Sequence, residues 1–237
     1  MEKKYELIES DRECLYRIKA LRDFCNDVTE IKKGDIGGYV ASEDNLSHEG
    51  NCWLFDDATV YDKAYVSGNA FVRGNVQIYG HALVTDNTFI GDNARIFDHA
   101  MISDHAQIYG HANVQFYAYI GNNVKVYGNT VIGDSAIVVD DAKIYGNADV
   151  KGNAYVCGDA IISSINDYIV IKNNWSSGRY ITWTRSNNMW RTGCFYGTSE
   201  ELIKKAYADS YEKGKCYEAT VKYVKTINRI NSSDDGE

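Results

Sequence analysis

Arg179, Arg185 and Arg191 alternate with Tyr180, Trp183 and Trp190 in one short stretch of the chain. Guanidinium groups present forked donors that match phosphate and carboxylate, and the rings between them can stack on a planar base. The run RTGCFYGTSEE (191–201) then carries a Gly-flanked strand into a helix start through Gly197 and Thr198. Free N–H groups and the positive end of the helix dipole favour an anion at such a junction. The chemistry implied is capture of a small anionic, nucleotide-like ligand. The same residues also fit a purely structural role, in which Thr198 and Glu201 form a capping box and the tryptophans a small core.

A second set of groups with chemical potential is His81, His99, His105 and His111. All four fall at the turn positions of a repeat, and His81 and His99 stand one coil apart with Tyr117 next in their column. Three imidazoles could hold a metal, but histidines that merely replace Asn at a turn explain the pattern too. The sequence therefore assigns no metal and no cofactor.

The element that must position these groups is a six-residue pattern running without interruption from 58 to 162. A small residue recurs at Ala58, Ala64, Ala70, Val76, Ala82 and onward to Ala160, and two residues after each stands Val or Ile. The two residues before each small one are mostly Gly, Asp, Asn or His, types suited to turns because several tolerate left-handed backbone angles. Helical spacings of three and four are absent. A short strand followed by a corner, three to a coil, suits the period, so eighteen hexads predict six triangular coils of a parallel β-helix. Such an array buries its aliphatic residues only against neighbouring coils and needs capped ends.

Residues eighteen apart then line up. One outward column reads Tyr65, Leu83, Met101, Tyr119, Ile137, Tyr155, and it is apolar throughout. The matching columns on the other faces carry Gln77, Arg95, Asn113 and Asp149, or Gln107, Lys125 and Lys143. A continuous apolar column flanked by small residues predicts a protein contact surface, made with copies of the chain or with its own C-terminal segment. Tyr61, Tyr79 and Phe97, and Tyr109, Tyr127 and Tyr145, form aromatic columns that stabilise a ladder or offer a platform for sugars or bases.

The stretches Ile90 to Ala94, Ile120 to Val124 and Ile132 to Ala136 match the hexapeptide motif of left-handed β-helices. GDIGGYVASEDNLSHEGNCW (34–53) and GCFYGT resemble the two ends of a family of bacterial and phage hexapeptide-repeat proteins often labelled transferases. This resemblance implies a left-handed winding, a homotrimer and a phage or mobile-element origin. Acyltransferases of the fold imply a histidine base between subunits acting on acyl-coenzyme A, for which His81, His99 and His105 border the apolar face. Those enzymes tend to carry a protruding loop, and nothing interrupts the repeats here. The histidine pair five apart of the fold's carbonic anhydrases is also missing.

The predicted organisation is an N-terminal β cap (1–50), the β-helix (51–164), a small α+β module (165–230) and a disordered tail (231–237). Three strands and two helices, one starting at the capping box and one over 217–227, make up the module. A net charge of −8 argues against a nucleic-acid polymer as partner. The six cysteines have no paired spacing, which predicts reduced thiols. No stretch has the character of a signal peptide or a membrane span, which predicts a cytoplasmic protein of a bacterial host. The glycines of 34–38 lack the Lys-Ser or Lys-Thr of a phosphate loop. These features predict a non-enzymatic oligomeric protein that captures a small anionic ligand; analogy with phage ligand-sequestering proteins implies that such capture would sequester a host immune signal. An acyltransferase or a structural rod are the alternatives.

Overall fold

The structure, a computed structural model, describes residues 3–25 and 28–234, and of 232–234 only the backbone. Two-residue strands separated by corners wind into a parallel β-solenoid with three faces. The first face runs from Thr59–Val60 to Asp149–Val150, the second from Tyr65–Val66 to Tyr155–Val156, and the third from Trp53–Leu54 to Ile161–Ile162. Pairing follows the eighteen-residue register throughout, as in Leu83 with Met101 and Gln107 with Lys125. The small residue and the aliphatic of every hexad point inward and are almost wholly buried. That interior is one continuous core, which no single coil could form alone.

The corners explain the turn residues. Asp62, Asp86, Asp92, Asp98, Asp104, Asp134 and Asp140 all have φ between 54° and 63°. Asp tolerates this region because its short side chain bonds locally. Here that side chain also reaches the next coil. The carboxylates of Asp62, Asp92, Asp104 and Asp140 accept from the backbone N–H of Gly80, Gly110, Asn122 and Gly158. A side-chain rung thus joins each such corner to the one stacked on it.

The solenoid has seven turns, one more than the hexads predict. Ile36–Val40, Leu46 and Trp53–Leu54 form the additional first turn, pairing in parallel with Thr59–Val60, Val66 and Phe71–Val72. The segment expected only to cap the coil therefore contributes a turn of its own. Tyr5–Glu9 and Tyr16–Ala20 extend its first face by antiparallel pairing.

Each open end is closed by groups of the complementary kind. At the start, free carbonyls accept from Tyr5 Oη (to Leu46, 2.7 Å) and from Lys4 Nζ (to Cys52, 2.9 Å). Lys4 is fully buried, and burial lowers its pKa. At the far end the last turn leaves N–H groups, and one hydroxyl meets each face. Lys151 N–H donates to Tyr168, Tyr155 N–H to Thr182 and Ile161 N–H to Ser186. An unpaired edge would invite further strands.

Those hydroxyls belong to the C-terminal α+β module. It has four antiparallel strands, Tyr168–Lys172, Tyr180–Thr184, Met189–Thr192 and Phe195–Gly197, where three are expected from sequence. Helix α1 (Ser199–Asp209) follows, then α2 (Tyr211–Asp234), which is longer than the expected 217–227. The predicted disordered tail is helical as far as Asp234, and 235–237 lie outside the described residues. Among the described residues no helix is long and apolar enough to cross a membrane.

Candidate functional site

Strand alternation decides where the arginine and aromatic groups go. In the module, Ile181, Trp183 and Trp190 turn toward the helices and form its core with Leu202, Ala206 and Val221. Both indoles are buried, and their N–H groups are held by Asn188 and Ser199. They are core residues here, and their ring faces are not presented to a ligand. Thr182 and its cross-strand partner Arg191 turn the other way, onto the last coil of the solenoid.

Residues on that side converge on a junction cleft of about 280 Å³ between module and solenoid. Arg179, Tyr180 and Arg191 line it from the module, and Ser135, Ile137 and Tyr155 from the solenoid. The Arg191 guanidinium lies 4.3 Å from the centre of the Tyr155 ring, a cation over a π face. Its Nε is buried and makes no hydrogen bond. Among the described residues neither Arg179 nor Arg191 has a carboxylate partner. Beside Arg191, burial under the module pushes the Cys157 thiol up to about 11 despite the nearby positive charge.

The remaining predicted ligand residues lie elsewhere. Arg185 follows the far end of its strand, where its N–H donates to the Asp167 carbonyl, and it does not line this cleft. Gly197 is buried against Phe195 and the Glu201 carboxylate. Thr198 caps α1: its hydroxyl accepts from Glu201 N–H, and Glu201 accepts from Thr198 N–H at 2.8 Å. A backbone N–H and Lys225 hold the Glu200 carboxyl below the usual range at the same end. The helix start expected to receive an anion already has its own carboxylates.

The second face carries Tyr65, Leu83, Met101, Tyr119, Ile137 and Tyr155 as one stacked column. The module covers its foot at Tyr155 and borders Ile137, while Tyr65 and Met101 are exposed. The corner beside this column adds Phe116 and Tyr117, exposed by 46% and 66%. Phe116 has φ 56°, a conformation that a bulky side chain resists. Sequence reading missed it, although an aromatic at a corner position held elsewhere by Asp, Asn or Gly is a visible departure.

His81 and His99 stack at 4.8 Å, and Tyr117 follows at 5.0 Å. All three are exposed at the corner between first and second faces. His105 lies at the opposite corner, in a shallow depression with Asp104, Asp140 and Asp141. Among the described residues no group of His, Cys, Asp or Glu could hold a metal ion. Tyr61, Tyr79 and Phe97 stack at 5.0 Å, and Tyr109, Tyr127 and Tyr145 at 5.2 and 5.3 Å, as ladder-stabilising columns.

The family model of the YdcK beta solenoid repeat matches residues 76–92. That span is about one coil, so the chain is similar to solenoid-repeat proteins over this part. No curated protein matches the chain.

Proposed function

We propose that this protein is a non-enzymatic, self-associating β-solenoid that captures a small anionic ligand in the junction cleft. The observation that carries the proposal is the pair of guanidinium groups, Arg179 and Arg191, without carboxylate partners beside the rings of Tyr155 and Tyr180. Uncompensated cations lining one cleft repel one another and are relieved by an anion. The cleft opens at the foot of the apolar column, so a second copy packing there would border it. Self-association through Tyr65, Leu83, Met101, Tyr119 and the Phe116–Tyr117 corner is part of the proposal. A left-handed trimer is the form that the hexad resemblance supports. Capture without turnover fits a sequestering role, such as withdrawal of a host signalling nucleotide by a phage protein.

Calorimetric titration with mononucleotides, dinucleotides and coenzyme A tests the ligand claim. Binding of a nucleotide that weakens about tenfold or more in Arg191→Ala supports it, since a hydrogen bond to a charged group contributes about 1.5–3 kcal/mol. Identical binding in the variant refutes it. Stabilisation by coenzyme A alone that disappears in His81→Ala, His99→Ala or His105→Ala would instead mark an acyltransferase. Sedimentation of Met101→Asp tests assembly: a smaller particle than wild type is expected, and an unchanged mass removes the interface.

A further inference from the structure

A second cleft, of about 340 Å³, lies on the module beyond Arg179, lined by Ser177, Cys194, Lys205, Asp209, Lys213 and Tyr217 among others. Arg179 and Thr192 line both this outer cleft and the junction cleft, so the two meet at a common wall. The junction cleft alone falls below the size range for small-molecule sites, about 300–1,000 Å³, and the outer one lies just inside it.

The charges along the combined groove are lopsided. Arg179, Arg191, Lys205 and Lys213 line it against the single carboxylate Asp209, on a chain whose net charge is −8. Asp209 is engaged by Lys213 at 3.5 Å. Lys205 lies over the Phe195 ring, 5.7 Å from its centre, and has no carboxylate partner among the described residues. Three uncompensated cations therefore follow one another: Arg191 in the inner cleft, Arg179 in the shared wall, Lys205 in the outer one.

Gly193 holds Arg179 in that wall. Its φ is +53°, and a Cβ there would lie 2.5 Å from Arg179 Nη1. The guanidinium thus passes over bare backbone at the turn between the last two strands. Any side chain at 193 would push it away.

Resting on the anion-capture reading of the junction cleft, we propose that the ligand carries two linked phosphate groups and spans both clefts. One phosphate lies between Arg191 and Arg179 and the other between Arg179 and Lys205, with any planar group against Tyr155 and Tyr180. Arg179 bridges the two because its fork can serve two oxygens at once. Gly193 is a positioning residue.

Calorimetry on the full-length protein with orthophosphate, pyrophosphate, AMP and ADP tests this, together with alkylation of Cys194 by iodoacetamide. Cys194 is exposed in the outer cleft, and the exposed Cys14 and Cys25 serve as controls in the same chain. Pyrophosphate and ADP should bind at least about tenfold more tightly than orthophosphate and AMP, the equivalent of one further charge-assisted contact. Lys205→Ala should erase that preference, and Gly193→Ala should weaken all four. Pyrophosphate should slow alkylation of Cys194 but not of Cys14 or Cys25. Equal binding of AMP and ADP, with no effect of Lys205→Ala and no protection of Cys194, overturns the two-phosphate assignment. If Arg191→Ala still abolishes that binding, capture in the junction cleft survives. No binding of any of the four overturns both.

Discussion

Replacing Phe116 by Asn should stabilise the protein, although it removes a large apolar side chain. Phe116 sits at a corner with φ 56°, where an L side chain costs about 1–2 kcal/mol. Asn tolerates that region, so about 1 kcal/mol of strain should be relieved. The substitution also completes a rung. Asp98 accepts from Phe116 N–H at 3.1 Å, but Phe116 offers nothing to the corner stacked on it. Asn122 shows what Asn does at such a place: with φ 55° its Oδ1 accepts from Asp140 N–H. An equivalent bond from Asp134 N–H would add about 0.5–1.5 kcal/mol. Against these stands the buried half of a ring that is 46% exposed, worth about 1 kcal/mol of the 1.5–3 for full burial. The balance favours Asn by about 1 kcal/mol, a rise in Tm of about 2–4 °C for a chain of this size. Phe116→Ala keeps the strain, gains no bond and loses the ring, so it should fall by about 1 kcal/mol. Thermal unfolding at a concentration where wild type and both variants are monomeric separates the two signs. If Asn and Ala destabilise alike, the corner rungs do not contribute as reasoned. Sedimentation of Phe116→Asn at high concentration then reports whether the strained ring serves self-association, which the variant should weaken.

Alkaline stability should depend on Cys157. Its folded pKa is raised from the ordinary value near 9 to about 11, so its contribution is complete below pH 9 and is lost as pH climbs through 11. Denaturant unfolding across that window should show wild type losing up to about 2–3 kcal/mol relative to Cys157→Ala; parallel curves would mean that the thiol is not buried under the module. Thr198→Ala should cost about 1 kcal/mol by removing the α1 cap. It should leave ligand affinity unchanged, and a loss of affinity in titration would return the binding site to the helix start.

How far the chain could be read in advance depended on whether the governing rule was local. The hexad is local, six residues long and free of insertions between 58 and 162, so the register, the inward residues and the apolar column were all legible. The first turn obeys the same rule with one interruption. Gly38-Tyr39-Val40 and Cys52-Trp53-Leu54 both have the small residue two before the aliphatic, but eight residues separate Leu46 from Leu54 where six would keep the phase. Allowing a two-residue insertion would have recovered the seventh turn.

The site was legible only in part, because proximity in sequence says nothing about side in a strand. Arg179, Tyr180 and Arg191 reach the cleft, whereas Trp183 and Trp190, interleaved with them, fall on the opposite side of the sheet. A period-two reading of 180–184 separates Tyr180 and Thr182 from Ile181 and Trp183, so that division was available. Lys205 and Lys213 were not: they arrive from α1 and α2, two helices that no sequence pattern places against Arg179. The capping-box signal at Thr198 was read correctly as geometry, and that is why it fails as a ligand site. A helix start whose Thr198 and Glu201 N–H groups are already engaged by the capping box, with the Glu201 carboxylate beside it, has less to offer another anion. Cations without a carboxylate partner, by contrast, keep an unmet demand for negative charge, and among the described residues that line the two clefts those are Arg179, Arg191 and Lys205.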